Sequence, residues 1–225
     1  MPRGDLPGWH QVFAEDFDTG VAQGRWPGPY ADRWDQYDGG ADTAGVGVWA
    51  TSQIVSVSGG TAVYHLRTRD GVAQGGALLP RTPVQTYGRY SVRFQVDPGL
   101  SGWASAWLLW PDDELWPTHG EVDWPEGELD STMTANHHHA DPAGGLDSFD
   151  SGVPFASGWH TATTEWTPGL LVFLLDGVEV GRSTTEVPST PMHWVLQTET
   201  AYGARPPSSS TGSIRIDWAV VYART

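Results

Sequence analysis

The chain has 225 residues, 39% of them hydrophobic, enough to bury one core, and a single domain over residues 1–225 is expected. Its formal charge of −15 comes from 27 acidic residues against 12 arginines, with no lysine, so a phosphate backbone would be repelled and nucleic acid is not an expected partner. The absence of cysteine excludes disulfides, thiol nucleophiles and thiolate zinc sites, and no apolar run approaches the ~20 residues that cross a bilayer, so no membrane partner is expected.

Residues 1–9 carry Pro2, Pro7 and Gly8 and lack the apolar centre of a secretory signal. Beyond them, 28 glycines and 17 prolines leave few windows for three helical turns, so strands dominate. Strands are predicted at 54–57, 61–68, 88–96, 104–110, 120–124, 131–137, 160–167, 170–175, 193–198 and 213–222. Turn chemistry brackets the eighth of these: Pro168-Gly169 precedes it and Asp176-Gly177 follows. Segments 26–50, 141–155 and 201–211 are long, irregular and rich in Gly, Pro or Ser, and read as rim loops of an all-β sandwich.

Thirteen tryptophans are more than one core needs, and many stand beside Gly, Pro or Asp. An indole offers a flat face for the C–H side of a sugar and an N–H for its hydroxyls, so part of this set points to a carbohydrate groove. Trp34, Tyr37 and Trp49 lie in a rim segment suited to distant subsites.

The sharpest signal is Glu121-Val122-Asp123-Trp124-Pro125-Glu126. Side chains alternate along a strand, so Glu121 and Asp123 share a face, while Glu126, three positions on, points away unless one extra residue intervenes. A β-bulge supplies that residue, and Pro125, which cannot donate to a ladder, suits one. Three acids on one face belong in a polar cleft. Paired carboxyls about 5–5.5 Å apart, one ionised and one protonated, perform retaining glycoside hydrolysis. On a straight strand the outer Cα atoms would stand roughly 13 Å apart, so the strand must curve inward.

With its neighbours, this segment resembles glycoside hydrolase family 16, laminarinase-like members with the bulged Glu-x-Asp-x-x-Glu motif. Gly102-Trp103-Ala104-Ser105-Ala106-Trp107 is similar to the family's Trp-Pro-Ala-x-Trp segment, with no proline after Trp103, and Trp116-Pro117-Thr118-His119-Gly120-Glu121 to its approach to the acids. Tyr87-Gly88-Arg89-Tyr90-Ser91-Val92-Arg93, Asp176-Gly177 and Ile216-Asp217-Trp218 extend the likeness over nearly the whole chain. The resemblance implies a concanavalin-like jelly-roll sandwich of two antiparallel sheets with a concave substrate groove. It makes Glu121 the nucleophile, Glu126 the acid/base and Asp123 the assisting carboxylate. An endo-acting retaining hydrolase of a neutral polysaccharide follows, best read as a β-1,3-glucanase; a galactan-type hydrolase, a transglycosylase and a non-catalytic lectin are the alternatives. The strand from His193 to Thr200 departs from the family's Leu-Asn-Leu-Ala pattern and leaves the linkage open.

Substrate contacts are expected from Trp103, Trp107, Trp116, Arg93, Asn136, Gln197 and one of His137 and His138. Alternation puts Asn136 and His138 on one face and His137 and His139 on the other without saying which faces the groove. Adjacent histidines lack convergent spacing and no carboxylate is fixed beside them, so no catalytic metal or other catalytic cofactor is expected. The resemblance further implies a structural calcium on the convex side through Asp217, a secreted or extracellular protein, and a monomer.

Overall fold

A computed structural model describes residues 1–203 and 205–225. Short alternating segments cut by glycine and proline fold into seventeen strands among the described residues. In chain order these are β1 (Trp9–Glu15), β2 (Trp34–Gln36), β3 (Asp38–Ala41), β4 (Val48–Ala50), β5 (Val55–Ser58), β6 (Thr61–Arg69), β7 (Val72–Pro80), β8 (Gly88–Val96) and β9 (Trp103–Pro111). There follow β10 (Glu121–Glu128), β11 (Thr132–His138), β12 (Leu146–Pro154), β13 (Trp159–Thr167), β14 (Leu170–Leu175), β15 (Val178–Ser183), β16 (Met192–Thr200) and β17 (Gly212–Arg224). One helical turn, α1 (Thr51–Ile54), replaces the predicted start of the first strand.

Most of the strands make two antiparallel sheets packed face to face, the expected jelly-roll sandwich, while β3 pairs with β4 and β4 runs parallel to part of β7. The front sheet runs β2-β7-β16-β9-β10-β11-β12. The back sheet runs β5-β6-β17-β8-β13-β14-β15, with β1 beside the second half of β17. The β6–β7 hairpin joins them. Between the sheets, Trp107 of the front meets Phe94 of the back edge-on at 4.9 Å, and the buried Tyr64 hydroxyl donates to Leu196 O at 2.8 Å. The turns about β14 are as expected, with Asp176, Gly169 and Gly177 at positive φ.

Several strands form where none was expected: β2, β3 and β4 within segment 26–50, β12 within 141–155, and β1, β7 and β15. β7 contains Gly75 and Gly76, residues of turns, yet a Cβ on Gly75 would stand 2.6 Å from Thr198 O, so β16 lies too close for any side chain there. β12 alternates exposed and half-exposed residues along an Asp/Ser/Gly-rich edge paired only to β11, so it lacks the apolar face that marks a strand.

Candidate active site

The centre of the front sheet carries the three acids. Across β10, Asp123 pairs with Leu108 and Asn136 while Glu126 pairs with Ala106 and Thr134, three residues of β10 spanning two of each neighbour. This is the expected bulge at Trp124-Pro125. Its register returns Glu126 to the face of Glu121 and Asp123, while Trp124 turns into the core, donates to Leu174 O at 3.0 Å and packs on Phe173.

Burial disfavours ionisation of both Glu121 and Asp123. Burial raises Glu121 to about 7; a hydrogen bond with Asp123 opposes this, the charge of Glu126 adds to it, and a bond from Trp116 opposes it. Asp123 is fully enclosed, and its burial, the charges of Glu121 and Glu126, and its bond to Glu121 hold it well above the ordinary carboxylate range. Asp123 therefore keeps a proton and donates it to the Glu121 carboxylate. Asn136 donates Nδ2–H to Glu126 Oε2, fixing one oxygen and leaving the other free. His138 Nε2 stands 3.8 Å from Asp123 Oδ2, and burial lowers its basicity.

Of the expected substrate contacts, Trp116, Asn136, His138 and Gln197 lie on this face. Trp116 is half-exposed, stacked at 6.4 Å on Trp110 and edge-on to His138. Gln197 donates to Glu199 Oε1 at 3.1 Å and lines, with Glu121, Tyr37, Leu108, Trp110 and Val195, a cleft of about 250 Å³.

The others are corrections. Trp103 and Trp107 turn inward from β9 and are buried, because the pairing that puts Leu108 opposite Asp123 sends odd-numbered residues to the core. Trp34 is also buried, against Phe13 and Phe17. Arg93 belongs to the outer face of the back sheet, paired with Asp217 and lying over the Trp159 ring at 4.6 Å. His137 faces inward and is wholly buried, its Nδ1 2.9 Å from Ser183 Oγ. The argument that no carboxylate stands beside the histidines also fails, since Asp147 lies opposite His137 on β12.

Calcium at Asp217 does not fit this chain. The guanidinium of Arg93 sits on the carboxylate that would ligate the ion, so the charge a divalent cation would balance is already balanced.

Sequence reading missed Trp110 and Glu199. Local pattern gave no signal for Trp110: odd positions of β9 hold Trp103, Trp107 and Leu109 and even ones Ala104, Ala106, Leu108 and Trp110, so both faces are apolar and only the pairing of Leu108 with Asp123 puts Trp110 on the groove side. Ala77, Leu108 and Val195 form the apolar floor of the cleft, with Tyr37, Trp49 and Trp110 packed against it.

Two face-to-face antiparallel sheets, with three carboxyls gathered on one strand of an aromatic-walled cleft, define a jelly-roll protein of the carbohydrate-active kind. The chain belongs to the glycosyl hydrolases family 16, whose family model matches residues 45–220. Two endo-1,3-1,4-beta-glycanases of Rhizobium meliloti are similar to it. ExsH is 31% identical over 103 residues, 45% of this chain and 22% of ExsH; EglC is 27% identical over 147 residues, 62% of this chain and 31% of EglC. The chain thus spans between a fifth and a third of these relatives' lengths. Among solved structures, the laminarinase of Rhodothermus marinus superposes with a TM-score of 0.78 at 20% identity, covering 96% of this chain and 98% of that one. A structure from human gut bacteria, described as expressing endo-acting O-glycanases that initiate mucin breakdown, gives 0.80 at 18%, covering 100% and 94%. These likenesses establish the fold.

Proposed function

We propose that the protein is an endo-acting, retaining glycoside hydrolase of a neutral polysaccharide, a β-1,3-glucan of the laminarin type, with Glu121 as nucleophile and Glu126 as acid/base. The observation that carries this reading is the bulge at Trp124-Pro125, which brings Glu126 to the face of Glu121 and Asp123.

Glu126 would protonate the glycosidic oxygen as Glu121 attacks the anomeric carbon, forming a glycosyl-enzyme. Glu126 would then take a proton from the incoming water, which displaces Glu121. Asp123 steadies Glu121 by donating to it while that glutamate is ionised. Asn136 holds one oxygen of Glu126 so that the other carries the transferred proton. The apolar floor suits the C–H face of a sugar ring, with Trp110 and Trp116 beside it. All three acids come from one strand, so a monomer suffices, and a polymeric substrate supports an extracellular site of action. Similarity to the endo-1,3-1,4-beta-glycanases of Rhizobium meliloti supports a β-linked glycan as substrate.

The test is product analysis on laminarin, lichenan, agarose, carrageenan and galactan. Wild-type protein should release short oligosaccharides from laminarin, and Glu121→Gln and Glu126→Gln should each lower kcat/KM by ~10²–10⁴-fold. Undiminished activity in both variants would remove the assignment. Cleavage of galactans, products longer than the substrate, or binding without cleavage would instead identify the three alternatives.

A further inference from the structure

Behind the groove, on the inward face of β11, lies a second cluster that the hydrolytic reading does not use. His137 and His139 project from the same face, and Asp147 of β12 stands opposite His137. One donor atom from each of the three lies within 4.8 Å of the other two.

Hydrogen-bond logic fixes the state of His137. Ser183 Oγ donates to Asp147 Oδ2 at 2.6 Å. Ser183 has one proton to give, so at its other contact it accepts from His137 Nδ1–H. His137 Nε2 is therefore left with a lone pair, sealed from solvent and with no donor. The Glu186 carbonyl that faces His137 is itself an acceptor and already takes Ala140 N–H at 2.8 Å. His139 Nε2 faces Asp147 Oδ1 at 3.3 Å.

We propose that His137, His139 and Asp147 bind a divalent transition-metal ion, zinc by preference, behind the groove strand. Two ligand atoms ~2.0–2.1 Å from a tetrahedral zinc stand about 3.3 Å apart, the spacing His139 and Asp147 already have. Ser183, held between His137 Nδ1 and Asp147, orients both in the way outer partners orient metal ligands. A Cβ on Gly145 would stand 2.3 Å from His139 Nδ1, so glycine lets the loop close over the ring. His139 and Asp147 keep 15% and 31% side-chain exposure, which leaves an entry path and a fourth position for water. Such an ion would pin the edge strand β12 to β11 and, through Ser183, to β15 of the back sheet. The opposite face of β11 carries Asn136 and His138, so the site is a strut for the strand that holds Asn136 against Glu126.

The test titrates chelator-treated, desalted protein with zinc chloride against a chromophoric zinc indicator, and with cobalt chloride followed by visible absorption. Wild-type protein should take up one zinc, show the intense bands of tetrahedral cobalt, and gain about 5–10 °C in Tm with free zinc at 100 times its Kd. His139→Gln and Asp147→Asn should each weaken zinc binding more than 10-fold, and Glu121→Gln should leave it intact. The last variant separates this site from Glu121, Asp123 and His138, whose donor atoms also cluster within 4.8 Å. No stoichiometric uptake, octahedral cobalt spectra, wild-type affinity in both ligand variants, or loss in Glu121→Gln would each overturn the proposal. The cobalt spectrum of the wild-type protein decides even where a variant fails to fold.

Discussion

At Glu121 the fold holds a carboxylate where burial and the charge of Glu126 both disfavour ionisation. A carboxyl raised from 4.5 to about 7 contributes stability that is fully present below its unfolded value and is lost as pH rises through about 7. Glu121→Gln removes that pH-dependent loss. The variant should therefore be more stable than wild type at pH 8, by about 1–3 kcal/mol, with the advantage vanishing near pH 4, as paired thermal melts would show. The same titration sets the acidic limb of kcat/KM, which should fall as pH drops below about 7. Asn136→Ala should cut kcat by about 10–100-fold with little change in KM, because the amide positions Glu126 rather than gripping the polymer. That the three acids share one face was legible because their spacing is itself geometric, whereas the roles of the two glutamates rest on the family resemblance. The histidine run was not, since alternation separates Asn136 and His138 from His137 and His139 but only the pairing of β11 with β10 says which pair meets Asp123.

Among the elements, β10 was readable in detail: an awkward three-residue interval, with a proline inside it, has few solutions other than a bulge. β9 was half readable. Trp103 and Trp107 announce a shared face, but Ala104, Ala106, Leu108 and Trp110 make the other face equally apolar, and only the pairing with β10 says which one is the core. β7 was hidden by its glycines, whose reason lies in a different part of the chain. Gly75→Ala would drive a methyl group into Thr198 O and part β7 from β16. A loss of about 1–3 kcal/mol, seen as a Tm lower by roughly 3–10 °C, is expected from calorimetry. β12 escaped notice for the opposite reason: an exposed edge strand has no apolar stripe to betray it.

For the whole molecule, a net charge of −15 and an acid-lined cleft make an anionic polymer a poor guest. Cleavage of laminarin should change little between about 10 and 200 mM salt, whereas any trace activity on carrageenan should be far weaker and rise with salt, as reducing-end assays would show. Calcium added to metal-free protein should leave its Tm unchanged, since Arg93 already neutralises Asp217. The sandwich was visible in the rhythm of strands and turns. The need for inward curvature followed from the spacing of the acids, but the outer face on which Arg93 lies depends on pairings between distant segments and could not be read from local pattern.

The two-sidedness of β11 has a consequence for how this segment can vary. Exchanging the order of Asn136 and His137 would alter neither composition, charge nor hydropathy, yet it would carry an amide into the interior and an imidazole to Glu126. Parity of position, rather than residue content, is the unit of information here. An alignment slipped by a single residue across Asn136-His137-His138-His139 would reverse every assignment in it while still matching histidine to histidine.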